Sequence, residues 1–485
     1  MKAAGLCLGL ALALAASSVE AETELDLHGE LSFWVGDADA LGESEHAASS
    51  YFGEEPSSAL SFDELSAREN ARARRLTLGV SARSPSLLWR GSSSVRLRLG
   101  VEHEPASGQW RFRDQGSHLE LEQQSDATVR TLRVFPIDGD GLRAGWLEAL
   151  AWGGEAGALR ESPYASANGL VPALMLAQST PWLRLWLGAK AARLAVPGVD
   201  GLERESLEYG ALGGVEISPT GWLELGLNAG ALRHGAMAQR DVRGQALVTA
   251  GASARVVVRR DLDPPELAGV FPDHVEGLAE GELGFALSVE GAWLEQRLKV
   301  ADFYRTVRFT PALGGAALAA VGFGEVELVA GLMLRDAAFV TRQGPGALLP
   351  EAPPPNRPVE PEWSYVFEGR FGLTSLLTAV LDFGLRRPAF ELVPAVSNRG
   401  SSAVVMRGPR RVELLPSGAR PLPVLEARGA ISVELSATAR AALFVEYRRD
   451  GNRVELERRL DDIRWERSLA GPHSLGYGLA LKAAL

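Results

Sequence analysis

Across Leu207–Leu232 (LEYGALGGVEISPTGWLELGLNAGAL), apolar residues alternate with polar or small ones in two runs, broken at Ser218-Pro219-Thr220-Gly221. In the second run Leu223, Leu225, Leu227 and Ala229 fall on one face, and Glu224, Gly226, Asn228 and Gly230 on the other. Strand side chains have a period of two, so the stretch predicts a hairpin with one greasy side. The layout recurs at Ser179–Lys190, Leu373–Arg387 and Leu435–Arg449. Roughly ten-residue alternating segments joined by very short turns are the signature of a transmembrane β-barrel.

Taken in order, the same rule predicts a first strand at Glu24–Gly36, a loop over Asp37–Asn70, then strands at Arg75–Ala82 and Val95–Glu102. Leu119–Glu122 and Val129–Phe135 pair around Ser125-Asp126. Pro136–Asn168 alternates weakly and is expected to be a loop that folds inward. Leu170–Ala177 and Trp182–Leu194 follow. Ala246–Arg260 reads as one long strand or two, and Asp261–Glu280 as a loop. Further pairs are expected across Glu290-Gly291 and across Gly322-Phe323-Gly324. Pro350–Pro361 is too proline-rich for a ladder, and Pro388–Pro423 and Arg448–Leu469 read as loops around Ile431–Leu435 and Ala441–Tyr447. The last strand is His473–Leu485. The expectation is an all-β chain: a single antiparallel up-and-down barrel of about 18 strands, within a range of about 16–20, with short periplasmic turns and long extracellular loops.

The ends and composition fit that class. Lys2, an apolar run from Ala3 to Ala16 and the closing Val19-Glu20-Ala21 read as a cleavable signal peptide over residues 1–21, leaving 22–485 as the barrel. Cys7, the single cysteine, lies inside that leader and too early for lipidation, so the exported part is expected to carry no disulfide or cysteine metal site. No later run approaches the length of a membrane helix. Mean hydropathy is −0.01, as expected when half of each strand meets lipid and half meets water. A net charge of −11 argues against a nucleic-acid partner.

Charge then assigns the faces. A Lys or Arg facing lipid at mid-membrane costs about 2–4 kcal/mol, so the polar phase of each strand is expected to look into a watery lumen. The expected lumen-facing residues are Asp26, His28, Glu30, Arg96, Arg98, Glu120, Arg184, Lys190, Glu224, Glu295, Arg297, Glu327, Arg370, Asp382, Arg386 and Glu434. Trp182, Trp222, Trp293, Trp363, Tyr365, Phe367 and Tyr477 are expected on the lipid face or in an interfacial girdle.

Catalytic motifs do not emerge. The seven histidines are scattered without zinc spacing. His28 with Asp26 and Glu30 reads as a solvated strand face before a metal site, and Asp138-Gly139-Asp140 as a glycine turn before a calcium loop. With no nucleophile elbow, phosphate loop or dinucleotide fingerprint, the chain is expected to be neither an enzyme nor cofactor-dependent.

The final run GYGLALKAAL places Tyr477, Leu479, Leu481, Ala483 and Leu485 on one face. With the repeated hairpins, it resembles bacterial outer-membrane β-barrel, porin-like proteins, although those usually end in an aromatic residue. The resemblance implies an outer-membrane location, contact with outer-membrane lipid and insertion by the barrel-assembly machinery. The implied function is a channel for passive or weakly selective passage of small hydrophilic solutes. The alternatives are a barrel exporting a polysaccharide or protein with periplasmic partners, and a non-conducting surface scaffold.

Overall fold

The computed structural model describes residues 26–37, 50–53, 74–86, 91–104, 109–114, most of 117–153, 171–197, 203–237, 240–265, 282–300, 305–342, 359–394, 401–408, 411–458, 465–469 and 471–484. The leader expected at 1–21, and Leu485, lie outside them. Pairing begins with β1 (Asp26–Asp37), β2 (Ser50–Gly53), β3 (Arg74–Ser86), β4 (Gly91–Glu104), β5 (Gln109–Asp114), β6 (His118–Ser125) and β7 (Thr128–Phe135). It continues through β8 (Ala173–Ser179), β9 (Leu183–Pro197), β10 (Glu203–Thr220), β11 (Leu223–Ala236), β12 (Ala246–Arg260), β13 (Leu283–Lys299), β14 (Val307–Phe323) and β15 (Val326–Arg335). A short helix, α1 (Ala337–Arg342), and β16 (Val359–Glu360) precede β17 (Glu362–Thr374) and β18 (Leu377–Arg387). The rest are β19 (Phe390–Pro394), β20 (Ser401–Gly408), β21 (Arg411–Leu414), β22 (Val424–Ser436), β23 (Ala439–Arg449), β24 (Val454–Arg458), β25 (Trp465–Leu469) and β26 (His473–Ala484).

Neighbours in sequence pair antiparallel, and β26 pairs both with β23 and with β1, from Asp37↔Tyr477 to Glu30↔Ala484. That contact joins the two ends of the sheet into a ring. Twenty strands take part. Because β2 continues the position of β3 beside β1, and β5 that of β6 beside β4, the ring has eighteen positions. A sheet in hydrocarbon must close in this way, since no water is present to satisfy an open edge.

Two-residue turns at Asp126-Ala127, Gly221-Trp222, Gly324-Glu325, Ser375-Leu376 and Ala437-Thr438 lie at one end of the ring. The chain segments at the other end include the long ones. Two expectations are corrected. Glu290-Gly291 is no turn: β13 runs unbroken from Leu283 to Lys299 and pairs with β12 and β14 throughout. Consequently the connection 261–282 falls on the turn side, the one long connection there. Ala246–Arg260 is one strand, and the stretch 388–423 contains β19, β20 and β21, which with β16 form a separate four-stranded sheet on the loop side. That sheet has its own core of Phe390, Ala403, Val405 and Leu415.

Outward, the alternation leaves large apolar side chains bare, among them Leu187 at 62 % exposed, Leu381 at 60 % and Leu443 at 63 %. A water-soluble chain does not leave so continuous an apolar surface uncovered. On β13 the outward residues run from Leu283 through Phe285, Leu287 and Val289 to Trp293. Ten residues of strand are about 34 Å long, and a tilt of about 40° gives a band about 25 Å tall, the hydrocarbon height of such barrels. The fold is a transmembrane β-barrel.

Candidate functional site: a charged lumen crossed by an inward loop

The chain leaving β7 does not rise over the rim but turns into the barrel. Its entry is tight. Gly139 donates its amide to the Val171 carbonyl at 2.9 Å, and a Cβ at Gly139 would come within 2.6 Å of the Ala173 Cβ. Farther in, Ala144 and Trp152 exchange backbone hydrogen bonds of 2.9 and 2.8 Å, which draw the two ends of a small lobe together. Leu142, Leu150 and Trp152 are buried in one cluster with the inward faces of the wall, including Leu212, Leu294, Met333 and Phe339 of α1. Glycines make room for it: a Cβ on Gly226 of β11 would overlap the Trp146 ring. The expectation that Pro136–Asn168 folds inward thus holds for the described residues between 136 and 153, and residues 154–168 lie outside the described residues.

Polar contacts fix the lobe across four strands. Glu290 of β13 accepts the amides of Trp146 at 3.0 Å and Leu147 at 2.7 Å. The Trp146 indole N–H donates to Glu216 of β10 at 3.0 Å, and the Trp152 indole to Ser253 of β12 at 3.2 Å. Arg255 lies 5.0 Å from the centre of the Trp146 ring and is paired with Glu224. The Lys190 ammonium of β9 donates to the Gly153 carbonyl. Four separate strands thus converge on a dozen residues of loop.

Beyond the loop, the opposite wall is a ladder of ion pairs. Glu362 is buried between two guanidinium groups: Arg335 donates to Oε1 at 2.9 and 2.6 Å, and Arg386 donates to Oε2 from Nε at 2.9 Å. Arg370 bridges Glu368 at 2.6 Å and Glu327 at 3.4 Å. Asp382 pairs with Arg428, and Arg448 lies between Glu426 and Asp450 at 3.1 and 3.2 Å. Adjacent register positions bring these groups together, as in Glu368↔Asp382↔Arg428↔Glu446.

Of the residues expected in the lumen, Glu120, Arg184, Lys190, Glu224, Glu327, Arg370, Asp382, Arg386 and Glu434 take the inward phase. Arg96 shares it by register with His118, whose ring contacts inward-facing Phe135. Side chains of Asp26, His28, Glu30 and Arg98 lie outside the described residues. Glu295 and Arg297 are corrections. They share the outward phase of Trp293 and pair in register with Pro311 and exposed Phe309. Above Trp293 the outer face has left the apolar band, so charge there meets water. Arg297 reaches Gln245 at 2.9 Å, and Lys299 reaches Asp241 at 3.6 Å, tying down the connection between β11 and β12. The Arg305 amide, helped by Lys299, holds the Asp241 carboxyl below its ordinary range. Trp182, Trp222, Trp293, Tyr365, Phe367 and Tyr477 are exposed on the outward face, and Trp363 shares their side.

Sequence reasoning missed Glu290, Glu216, Arg335, Glu362 and Arg428. The signal for Glu362 was its even spacing from Ser364 and Glu368 on one strand, which puts all three on one face. For Glu290 it was the unbroken alternation from Leu283 onward.

The class defined by this arrangement is a transmembrane β-barrel whose charged interior is narrowed by its own loop. No family model matches the chain, and no curated protein does. Among solved structures it is similar to Pseudomonas aeruginosa OccK2 (OpdF), at 9 % identity over 96 % of this chain and 98 % of that one, TM-score 0.48. It is also similar to Acinetobacter baumannii OccAB3, at 7 % identity over 96 and 99 %, TM-score 0.46. A third is the anion-selective porin from Comamonas acidovorans, at 11 % identity over 96 and 100 %, TM-score 0.41.

Proposed function

We propose that this chain is a porin-like channel of the bacterial outer membrane, passing small hydrophilic solutes past the loop 136–153. The observation that carries the reading is that inward charges keep contact with water. The Arg184 side chain is 45 % exposed, and Arg440 and Glu434 are 34 and 31 % exposed. Water therefore enters the turn-side lumen beside both β9–β10 and β22–β23. Eighteen positions enclose more space than side chains alone fill. The loop consumes much of it, which makes the passage narrow and its lining charged on both walls.

In this reading the barrel is a conduit and not an enzyme. The turns face the periplasm, the strand β26 is what the assembly machinery engages, and lipid covers the outer band. Recording from purified protein in a planar bilayer tests it: discrete, ohmic conductance steps are expected, and their absence would count against a channel. A second reading, a plugged surface scaffold, is favoured by one feature, the separate sheet of β16, β19, β20 and β21 on the loop side. It expects no steps in the same recording.

A further inference from the structure

The outward face of β6, β7 and β8 departs from the rest of the wall. In register, Leu121, Leu132, Leu176 and Leu187 form one row across β6 to β9. The next row toward the turns is Gln123, Arg130 and Gln178. On the following strands this second row becomes Leu185, Val215 and Leu227, and on the preceding strand it meets Gly91, so its long polar side chains stand on three strands. The two rows, with Glu122, Thr131, Ala177, Trp186 and Gly214 of the wall between them, line a groove of about 630 Å³. Arg130 is exposed and has no carboxylate partner among the described residues, while Glu120 on β6 is turned inward to Arg133. The Trp182 ring, 56 % exposed at the neighbouring turn, places these residues close to the turn-side membrane interface.

We propose that this groove binds one glycerophospholipid of the leaflet on the turn side. Its phosphate is held by Arg130 and the carboxamides of Gln123 and Gln178, and one acyl chain lies along the leucine row. A guanidinium offers a planar fork of donors that suits phosphate oxygens. Its long stem lets the charge reach the headgroup level while the methylenes stay on apolar surface. All three polar residues of the outward row can donate, and the one carboxylate lining the groove, Glu122, belongs by register to the inward phase with Thr131, so the outward row favours an anionic ligand. A second copy docked about a twofold axis here would set Arg130 against Arg130, which like charges disfavour. The site stands on the membrane fold and is independent of conduction.

Native mass spectrometry of the full-length barrel, released from detergent after incubation with a phosphatidylglycerol, tests the proposal. The wild type is expected to retain one lipid under conditions that strip others. Arg130→Glu is expected to lower that retention about tenfold or more, since a charge-assisted phosphate contact is lost. Leu132→Trp, which fills the groove and keeps the charge, is expected to lower it too. Arg130→Gln serves if the glutamate variant fails to fold, as judged by heat-dependent gel migration. Equal retention by wild type and by the folded Arg130 variant overturns the proposal. So does a lipid-free wild-type oligomer that the Arg130 variant dissociates, which would make the occupant a second copy.

Discussion

Glu290 and Trp146 are 144 residues apart in sequence, yet the Glu290 carboxylate accepts the Trp146 amide at 3.0 Å and, through its other oxygen, the Leu147 amide at 2.7 Å. The residue that anchors the inward loop lies on β13, six ring positions from β7, where the loop leaves the wall. Strands β9, β10 and β12 contribute the remaining contacts, so the loop is held along the wall from β9 to β13 and not merely tucked under its own rim. The aperture is therefore set by a few identifiable side chains.

Replacing Glu290 with alanine should loosen the loop. Each charge-assisted hydrogen bond to an amide contributes about 1.5–3 kcal/mol, so losing both reduces the pinned population at least about tenfold. Single-channel recording should show larger and noisier steps than wild type. Gly226→Val, which places side-chain atoms where the Trp146 ring lies, should act in the same direction and alter the Trp146 fluorescence. Gly291→Ala, where an added Cβ meets nothing closer than a carbonyl at 4.0 Å, should change neither. Unaltered conductance in both the Glu290 and Gly226 variants would mean the loop does not set the aperture.

The triad Arg335–Glu362–Arg386 should matter for stability more than for conduction. Removing the carboxylate with Glu362→Ala leaves two buried guanidinium groups facing each other, a situation that costs about 3–5 kcal/mol. Urea unfolding in detergent micelles should give a clearly lower midpoint for the variant. Arg184→Ala, whose partner Glu216 lies 3.4 Å away and whose own side chain is 45 % exposed, should shift it little. Equal midpoints for Glu362→Ala and wild type would contradict the burial of the triad.

Outward charge should be tolerated by height. Leu287 lies within the apolar band of β13 and Glu295 above its Trp293 rim. Leu287→Arg is expected to destabilise the barrel by about 2–4 kcal/mol, and Glu295→Arg by about 1 kcal/mol or less. Reversible folding into liposomes measures both. If the two cost the same, the band does not end where Trp293 marks it.

These particulars also say what the chain reveals before folding. The phase of each strand is legible because a period of two needs only the strand itself: Glu224 against Leu225, or Asp382 against Leu381, follows from local alternation. Closure was legible because both terminal segments alternate. Height along the strand was not. Glu295 and Arg297 have the same side-chain chemistry as lumen charges, and only the position of Trp293 in a continuous β13 shows that they have left the membrane. That continuity was hidden by Glu290-Gly291, a pair that resembles turn chemistry but whose glycine faces outward into open space. The partners of the inward loop were beyond reach for a different reason. They come from strands whose order around the ring depends on register, and a single chain does not print its register.

Successive residues of one strand face opposite media, and Glu224 and Leu225 are the pair on which to measure it. Spin labels on Glu224→Cys and Leu225→Cys, in protein reconstituted into liposomes, can be compared for relaxation by oxygen, which concentrates in lipid, and by a water-soluble nickel chelate. Position 225 should respond to oxygen and position 224 to nickel. Equal response of both positions to nickel, from a protein that stays dispersed without detergent, would contradict it.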